Sequence, residues 1–144
     1  MLFGKRKRVV NRILIVEDEP LMAFDNENML GDLGYEVVAT LNSFEDAIGL
    51  LEDEKVDLIL SDFHLSGERT GLDLARAAKK RGIPIIFSTG HELPAESVQL
   101  ALGCITKPYN ERTLKLGLEA VDRRLAGKVA KPPKGVALFV PDES

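Results

Sequence analysis

Short apolar runs alternate along this chain with segments of helical spacing, and that order constrains the fold more than any other feature. Ile13-Leu14-Ile15-Val16 opens the series and precedes a helical stretch from about Pro20 to Leu33, which Gly34 is suited to end in a left-handed cap. Tyr35 to Thr40 reads as a second strand, and Ser43, with Asp46 three residues on, starts a helix reaching about Glu54. Val56 to Ser61 is the third strand. Leu72, Leu74, Ala75 and Ala78 mark a helix closed by Gly82, after which Pro84 to Ser88 restarts as a strand. A fourth helix is expected over about Pro94 to Leu102. Ile105 lies in a short fifth strand, and Leu114, Leu118, Val121 and Leu125 mark a last helix. Five strands alternating with five helices imply a doubly wound α/β fold with a five-stranded parallel sheet, because parallel neighbours need crossovers and the crossover helices cover both faces. Near-continuous apolar strands fit that double burial.

The alternation spans residues 12–126 and is expected to form one domain. Before it, residues 1–11 form a basic arm with Lys5-Arg6-Lys7-Arg8, read as a solvated terminus or a contact for an acidic partner or, weakly, nucleic acid. Residues 1–12 hold five cations and no acid, so the net charge of -4 leaves -9 for the rest, a poor polyanion binder but a good setting for a metal ion. After it, residues 127–144 read most simply as a frayed tail without an output domain, with an added edge strand or a partner contact at Gly135 to Val140 as alternatives. The single cysteine, Cys104, cannot form an internal disulfide, and no apolar run is long enough for a membrane span or signal peptide. A cytoplasmic protein, away from the membrane, is therefore expected.

In an open parallel sheet, ligands bind beyond the carboxyl ends of the strands. Glu17 and Asp18 follow the first strand, Asp62 the third, Thr89 the fourth and Lys107 the fifth. Carboxylates gathered at one edge repel, by about 4 kcal/mol for two charges 4 Å apart at an effective dielectric near 20. A cation must relieve that repulsion. Oxygen ligands without paired His or Cys favour Mg2+, while Thr89 offers a hydroxyl and Lys107 a mobile charge to an added anionic group. Phosphoryl transfer uses such a set, with Asp62 as nucleophile.

At this point the sequence strongly resembles the receiver domain of two-component response regulators. Ile13 to Pro20 is similar to the acidic-pair motif, and Asp57-Leu58-Ile59-Leu60-Ser61-Asp62 to the strand ending in the phosphorylated aspartate. Thr89-Gly90 is similar to the switch threonine and its small neighbour, and Lys107-Pro108-Tyr109 to the lysine-proline-aromatic motif. The resemblance implies the flavodoxin-like (βα)5 fold and a signalling protein, not an enzyme in its own right, that takes part in its own phosphoryl transfer and autodephosphorylation. Asp62 would accept phosphate from a sensor histidine kinase or histidine phosphotransfer protein. Asp18 and Asp62 would bind Mg2+ through side chains, Glu17 directly or through water, and His64 through its backbone carbonyl. Lys107 would contact phosphate, and Thr89 would move to it, changing the surface around the fourth helix, fifth strand and fifth helix. A downstream protein would read that surface, the chain acting as adaptor, shuttle or phosphate sink and as a monomer or weak dimer.

Several positions depart from the common receiver pattern. The acidic pair is Glu17-Asp18 where two aspartates are frequent, and the loop from Leu65 to Gly71 lacks a proline at Ser66 and holds an extra residue. Cys104 stands where the family often has the Tyr or Phe that turns inward with the threonine, so the aromatic half of the switch is missing or relocated. Phe87-Ser88-Thr89-Gly90-His91 with Lys107-Pro108-Tyr109 also resembles the FAT-GUY subgroup of single-domain receivers, which is similar in lacking that aromatic. Tyr109 is a candidate substitute, with simple packing against the sheet as the alternative. His64 and His91 each lie two residues beyond a key position, as modulators of phosphate loss or as solvated loop residues. Two further functions remain open: a pseudo-receiver that binds partners without phosphorylation, and an aspartyl-nucleophile phosphatase, weakened because His64 stands where such enzymes usually have a second aspartate.

Overall fold

A computed structural model describes residues 8–140. The strands are β1 (Arg12–Val16), β2 (Glu36–Leu41), β3 (Leu58–Asp62), β4 (Ile85–Thr89), β5 (Gly103–Thr106) and β6 (Val136–Leu138). The helices are α1 (Pro20–Asp32), α2 (Phe44–Asp53), α3 (Gly71–Lys80), α4 (Ser97–Leu100) and α5 (Glu111–Leu125). Alternation along each strand divides the core in two. Ile13, Ile15, Leu58, Leu60 and Ile86 face α1 and α5, packing with Leu30, Leu114, Leu118 and Val121. Leu14, Val16, Ile59, Ile85 and Phe87 point the other way, onto Ala47 and Leu51 of α2 and Leu74, Ala75 and Ala78 of α3. Each fully buried Leu, Ile or Phe contributes roughly 1.5–3 kcal/mol, so both layers are needed.

The sheet runs β2-β1-β3-β4-β5-β6, and the first five strands are parallel. The reversal between β2-β1 and β3-β4-β5 opens a crevice at the carboxyl ends of β1 and β3. Ser43 caps α2 by accepting the Asp46 amide, and Thr70 with Asp73 forms a reciprocal capping box on α3. The loop before α3 is tied down: the Ser66 amide donates to the Asn42 carbonyl, and Leu65 is buried. Gly71 closes it, since a Cβ there would lie 2.6 Å from the Asp62 carbonyl oxygen.

Two expectations need correction. The fourth helix is one turn, Ser97–Leu100, instead of the stretch from Pro94 to Leu102. Ala101 turns to extended backbone, and the Leu102 amide donates to the Ile85 carbonyl of β4, so sheet pairing captures the residues that would continue the helix. The second concerns the tail, read most simply as frayed: the alternative of an added edge strand is the one that forms, Val136–Leu138 lying antiparallel to β5 beside the five parallel strands. The edge amides and carbonyls of β5 gain partners, and Val136 is buried in the α1 and α5 layer. Of the basic arm, residues 1–7, including Lys5, Arg6 and Lys7, lie outside the described residues. Arg8 stacks over Tyr35, 4.1 Å from the ring centroid, and Asp122 accepts the Val9 and Val10 amides.

Candidate functional site

Strand register assembles the site. Val16 lies beside Ser61, so the next residues, Glu17 and Asp62, emerge together at the crevice. Asp62 lies beside Ser88, and Thr89 beside Thr106, which brings Thr89 and Lys107 to the same end of the sheet. The carboxylate oxygens of Glu17, Asp18 and Asp62 come within 4.8 Å of one another. Lys107 Nζ reaches Glu17 Oε1 at 3.0 Å and Asp62 Oδ2 at 3.3 Å. Residues far apart in sequence thus meet in one charge cluster.

The electrostatics follow from burial and crowding. Glu17 is 3% exposed, and burial, joined by the neighbouring Asp62, pushes its carboxyl up to about 7 against the opposing pull of Lys107. Burial works against the Lys107 charge, yet Glu17 and Asp62 outweigh it and raise its pKa. A single ammonium does not satisfy three carboxylates, so the site is short of positive charge. Hard oxygen donors this close, with a charge deficit, fit a divalent ion such as Mg2+.

The remaining site residues surround this cluster. Thr89 is buried, and its hydroxyl is held by the His91 backbone, donating to the carbonyl and accepting from the amide, both at 3.1 Å. The His64 amide donates to Asp62 Oδ1 at 3.4 Å. The His64 and His91 rings lie edge-on, with centroids 6.4 Å apart, at the rim. Cys104 is half-buried against β6, and burial raises its thiol pKa. It borders a cavity of about 580 Å³ together with Thr89, His91, Thr106 and Phe139.

Tyr109 turns inward onto the α1 and α5 layer, where its hydroxyl donates to Asn26 Oδ1 at 2.6 Å. Burial drives its pKa well above the ordinary phenol range, with the Asn26 and Ser88 side chains as hydrogen-bonding neighbours opposing it. Sequence reasoning missed Asn26, which is 1% exposed on α1. Its signal was a polar residue three positions after Ala23 and four before Leu30, on the buried stripe of the helix. Phe139 was missed because its importance depends on β6.

The family model for the response regulator receiver domain matches residues 13–119. This chain belongs to that family. Among similar proteins, the transcriptional regulatory protein PdtaR of Mycobacterium tuberculosis is 39% identical over 82 residues, 56% of this chain and 40% of PdtaR. The chain thus matches less than half the length of that relative. Protein PilH of Pseudomonas aeruginosa is 32% identical over 123 residues, covering 81% of this chain and 98% of PilH. The chemotaxis response regulator CheY4 of Vibrio cholerae superposes with a TM-score of 0.69 at 25% identity, over 78% of this chain and 98% of CheY4. These likenesses agree with the flavodoxin-like receiver fold, to which β6 is added. Among the described residues, no helix is long and apolar enough to cross a membrane.

Proposed function

We propose that this receiver accepts a phosphoryl group on Asp62 from a phosphohistidine of a sensor histidine kinase or histidine phosphotransfer protein, in the cytoplasm, and signals by altered protein contacts. The observation that carries this reading is the cluster of Glu17, Asp18 and Asp62, with oxygens within 4.8 Å, joined by a lysine that touches two of them. An Asp62 carboxylate oxygen attacks phosphorus as the P–N bond breaks, and the electron pair of that bond stays with the imidazole nitrogen. Glu17, Asp18 and Asp62, with the His64 carbonyl, would hold Mg2+, which when bound offsets negative charge on the transferring group. Lys107 supplies a second positive charge from its place between Glu17 and Asp62. The Thr89 hydroxyl leaves the His91 backbone to donate to a phosphoryl oxygen, and that exchange begins the readout. Water attack on phosphorus then breaks the P–O bond and restores the carboxylate.

Asp62→Asn tests the assignment. Incubation with acetyl phosphate or a phosphorylated kinase should label the wild type in the presence of Mg2+ and leave the variant unlabelled. Labelling that persists in Asp62→Asn contradicts the nucleophile assignment, and no labelling from any donor supports phosphorylation-independent binding instead.

The proposal extends to the rim. The His64 amide touches Asp62, and the His64 and His91 rings lie 6.4 Å apart; we assign both side chains to tuning phosphate loss. Replacing both with alanine should change the phosphate lifetime, followed as loss of the added mass after the donor is removed. An unchanged lifetime removes this role.

A further inference from the structure

β6 is seated with more specificity than three residues of backbone pairing require. The Thr106 amide donates to the Gly135 carbonyl, and the Phe139 amide to the Leu102 carbonyl, both at 2.8 Å, so the ladder runs the length of β5. Two small residues make room for it. A Cβ at Gly103 would collide with the Ala137 carbonyl oxygen, and one at Gly117 on α5 would lie 3.0 Å from Val136 Cγ2. Arg124 of α5 donates to the Phe139 carbonyl at 3.0 Å. Gly135 turns the chain into the strand with a φ of 92°. Yet the strand is short, lies at an edge, and follows a largely exposed segment from 127 to 135, the kind of element that opens at low free-energy cost.

Two connections join β6 to the phosphorylation machinery. Thr89 is the register partner of Thr106, whose amide holds Gly135 at the start of β6. Thr89 and Phe139 also border the same cavity of about 580 Å³. Cys104, directly opposite Ala137 and small, leaves that space for Phe139, which packs against the α2 and α3 core layer. One lining residue of the cavity is the threonine assigned to move toward phosphate, and another is the β6 aromatic.

We propose that Val136 to Phe139 is a tethered strand latch. It closes the β5 edge in the unphosphorylated chain and leaves when Thr89 moves, and the freed edge accepts an extended partner segment of the same pattern. That segment carries a β-branched residue for the Gly117 seat and an aromatic residue three positions on for the cavity beside Thr89. The latch rests on the reading of Asp62 as the phosphorylated residue.

Ala137→Cys in the full chain supplies the lock. It faces Cys104 in a directly opposed pair, and such Cα atoms lie about 5.5 Å apart, within disulfide range. The reduced form of the same variant is its control. Intact mass reports phosphorylation, hydrogen exchange reports β6, and a labelled peptide with the sequence of residues 134–140 reports the acceptor site. Phosphorylation should speed exchange of the Thr106 and Phe139 amides at least about tenfold and tighten peptide binding by a similar factor. The oxidised variant should show neither change. Mass gain with unchanged exchange, with peptide binding no tighter, or with binding that survives the cross-link overturns the latch and leaves the Asp62 reading standing. No mass gain overturns both.

Discussion

Two edges of one sheet do different work in this receiver. At the carboxyl ends of β1, β3 and β5, Glu17, Asp18, Asp62 and Lys107 meet through side chains, and burial holds charges where they repel. Along the side of β5, β6 is held by amides, carbonyls and the space left by two glycines. The first edge spends stability on chemistry, and the second gains modest stability from shape. Altering the first should therefore remove function while the fold remains, whereas altering the second should loosen the fold locally and spare the chemistry.

The contrast can be broken at four places, taken here in order of expected effect. Lys107→Ala removes the ammonium that bridges Glu17 and Asp62, and labelling by a phosphodonor should slow by about a hundredfold or more, while circular dichroism shows a folded chain. Labelling at the wild-type rate would dissolve the distinction. Gly103→Val drives a side chain into the Ala137 carbonyl, and chemical denaturation should show a loss of about 1–3 kcal/mol with Asp62 labelling retained.

The third test uses pH. Folding raises the Glu17 pKa from 4.5 to about 7, so between those values the folded chain holds more protons than the unfolded one, and stability from this group falls as pH rises through the window. Mg2+ held by Glu17, Asp18 and Asp62 would compete with that proton and relieve the deprotonated cluster. Its addition should raise Tm more at about pH 8 than at about pH 5, and Glu17→Gln should shrink the difference. Equal shifts at both pH values would contradict the charge deficit. Smallest is Arg124→Ala, which removes one hydrogen bond to the Phe139 carbonyl and should cost about 0.5–1.5 kcal/mol in urea unfolding with labelling unchanged.

The two edges also differed in how plainly the sequence revealed them. Glu17, Asp18, Asp62, Thr89 and Lys107 announce themselves because charged and hydroxyl residues at the ends of apolar strands break the pattern around them. The parallel core was equally legible, since Ile13 to Val16 and Ile85 to Phe87 have no solvent-facing alternation. β6 was legible only as one alternative for a short apolar run: Val136-Ala137-Leu138 is three residues long, its partners are backbone groups of β5, and Gly103 and Gly117 matter only once the strand is in place. The fourth helix misled because its apolar residues suit either structure, and the competing bond from Leu102 to Ile85 lies in another element. Asn26 was hidden by its type, a polar residue whose burial makes sense only opposite the Tyr109 hydroxyl.

The proposed role of the carboxylate edge, phosphorylation of Asp62, leaves a chemical mark that can be read directly. An acyl phosphate on aspartate is reduced by borohydride to homoserine, which marks the modified position permanently. The full chain should be treated with acetyl phosphate and Mg2+, reduced, digested and sequenced by mass spectrometry. Homoserine at position 62, lost when Mg2+ is chelated or when Lys107 is replaced by alanine, is the predicted result. Homoserine at another aspartate, or none in the presence of donor and Mg2+, would contradict it.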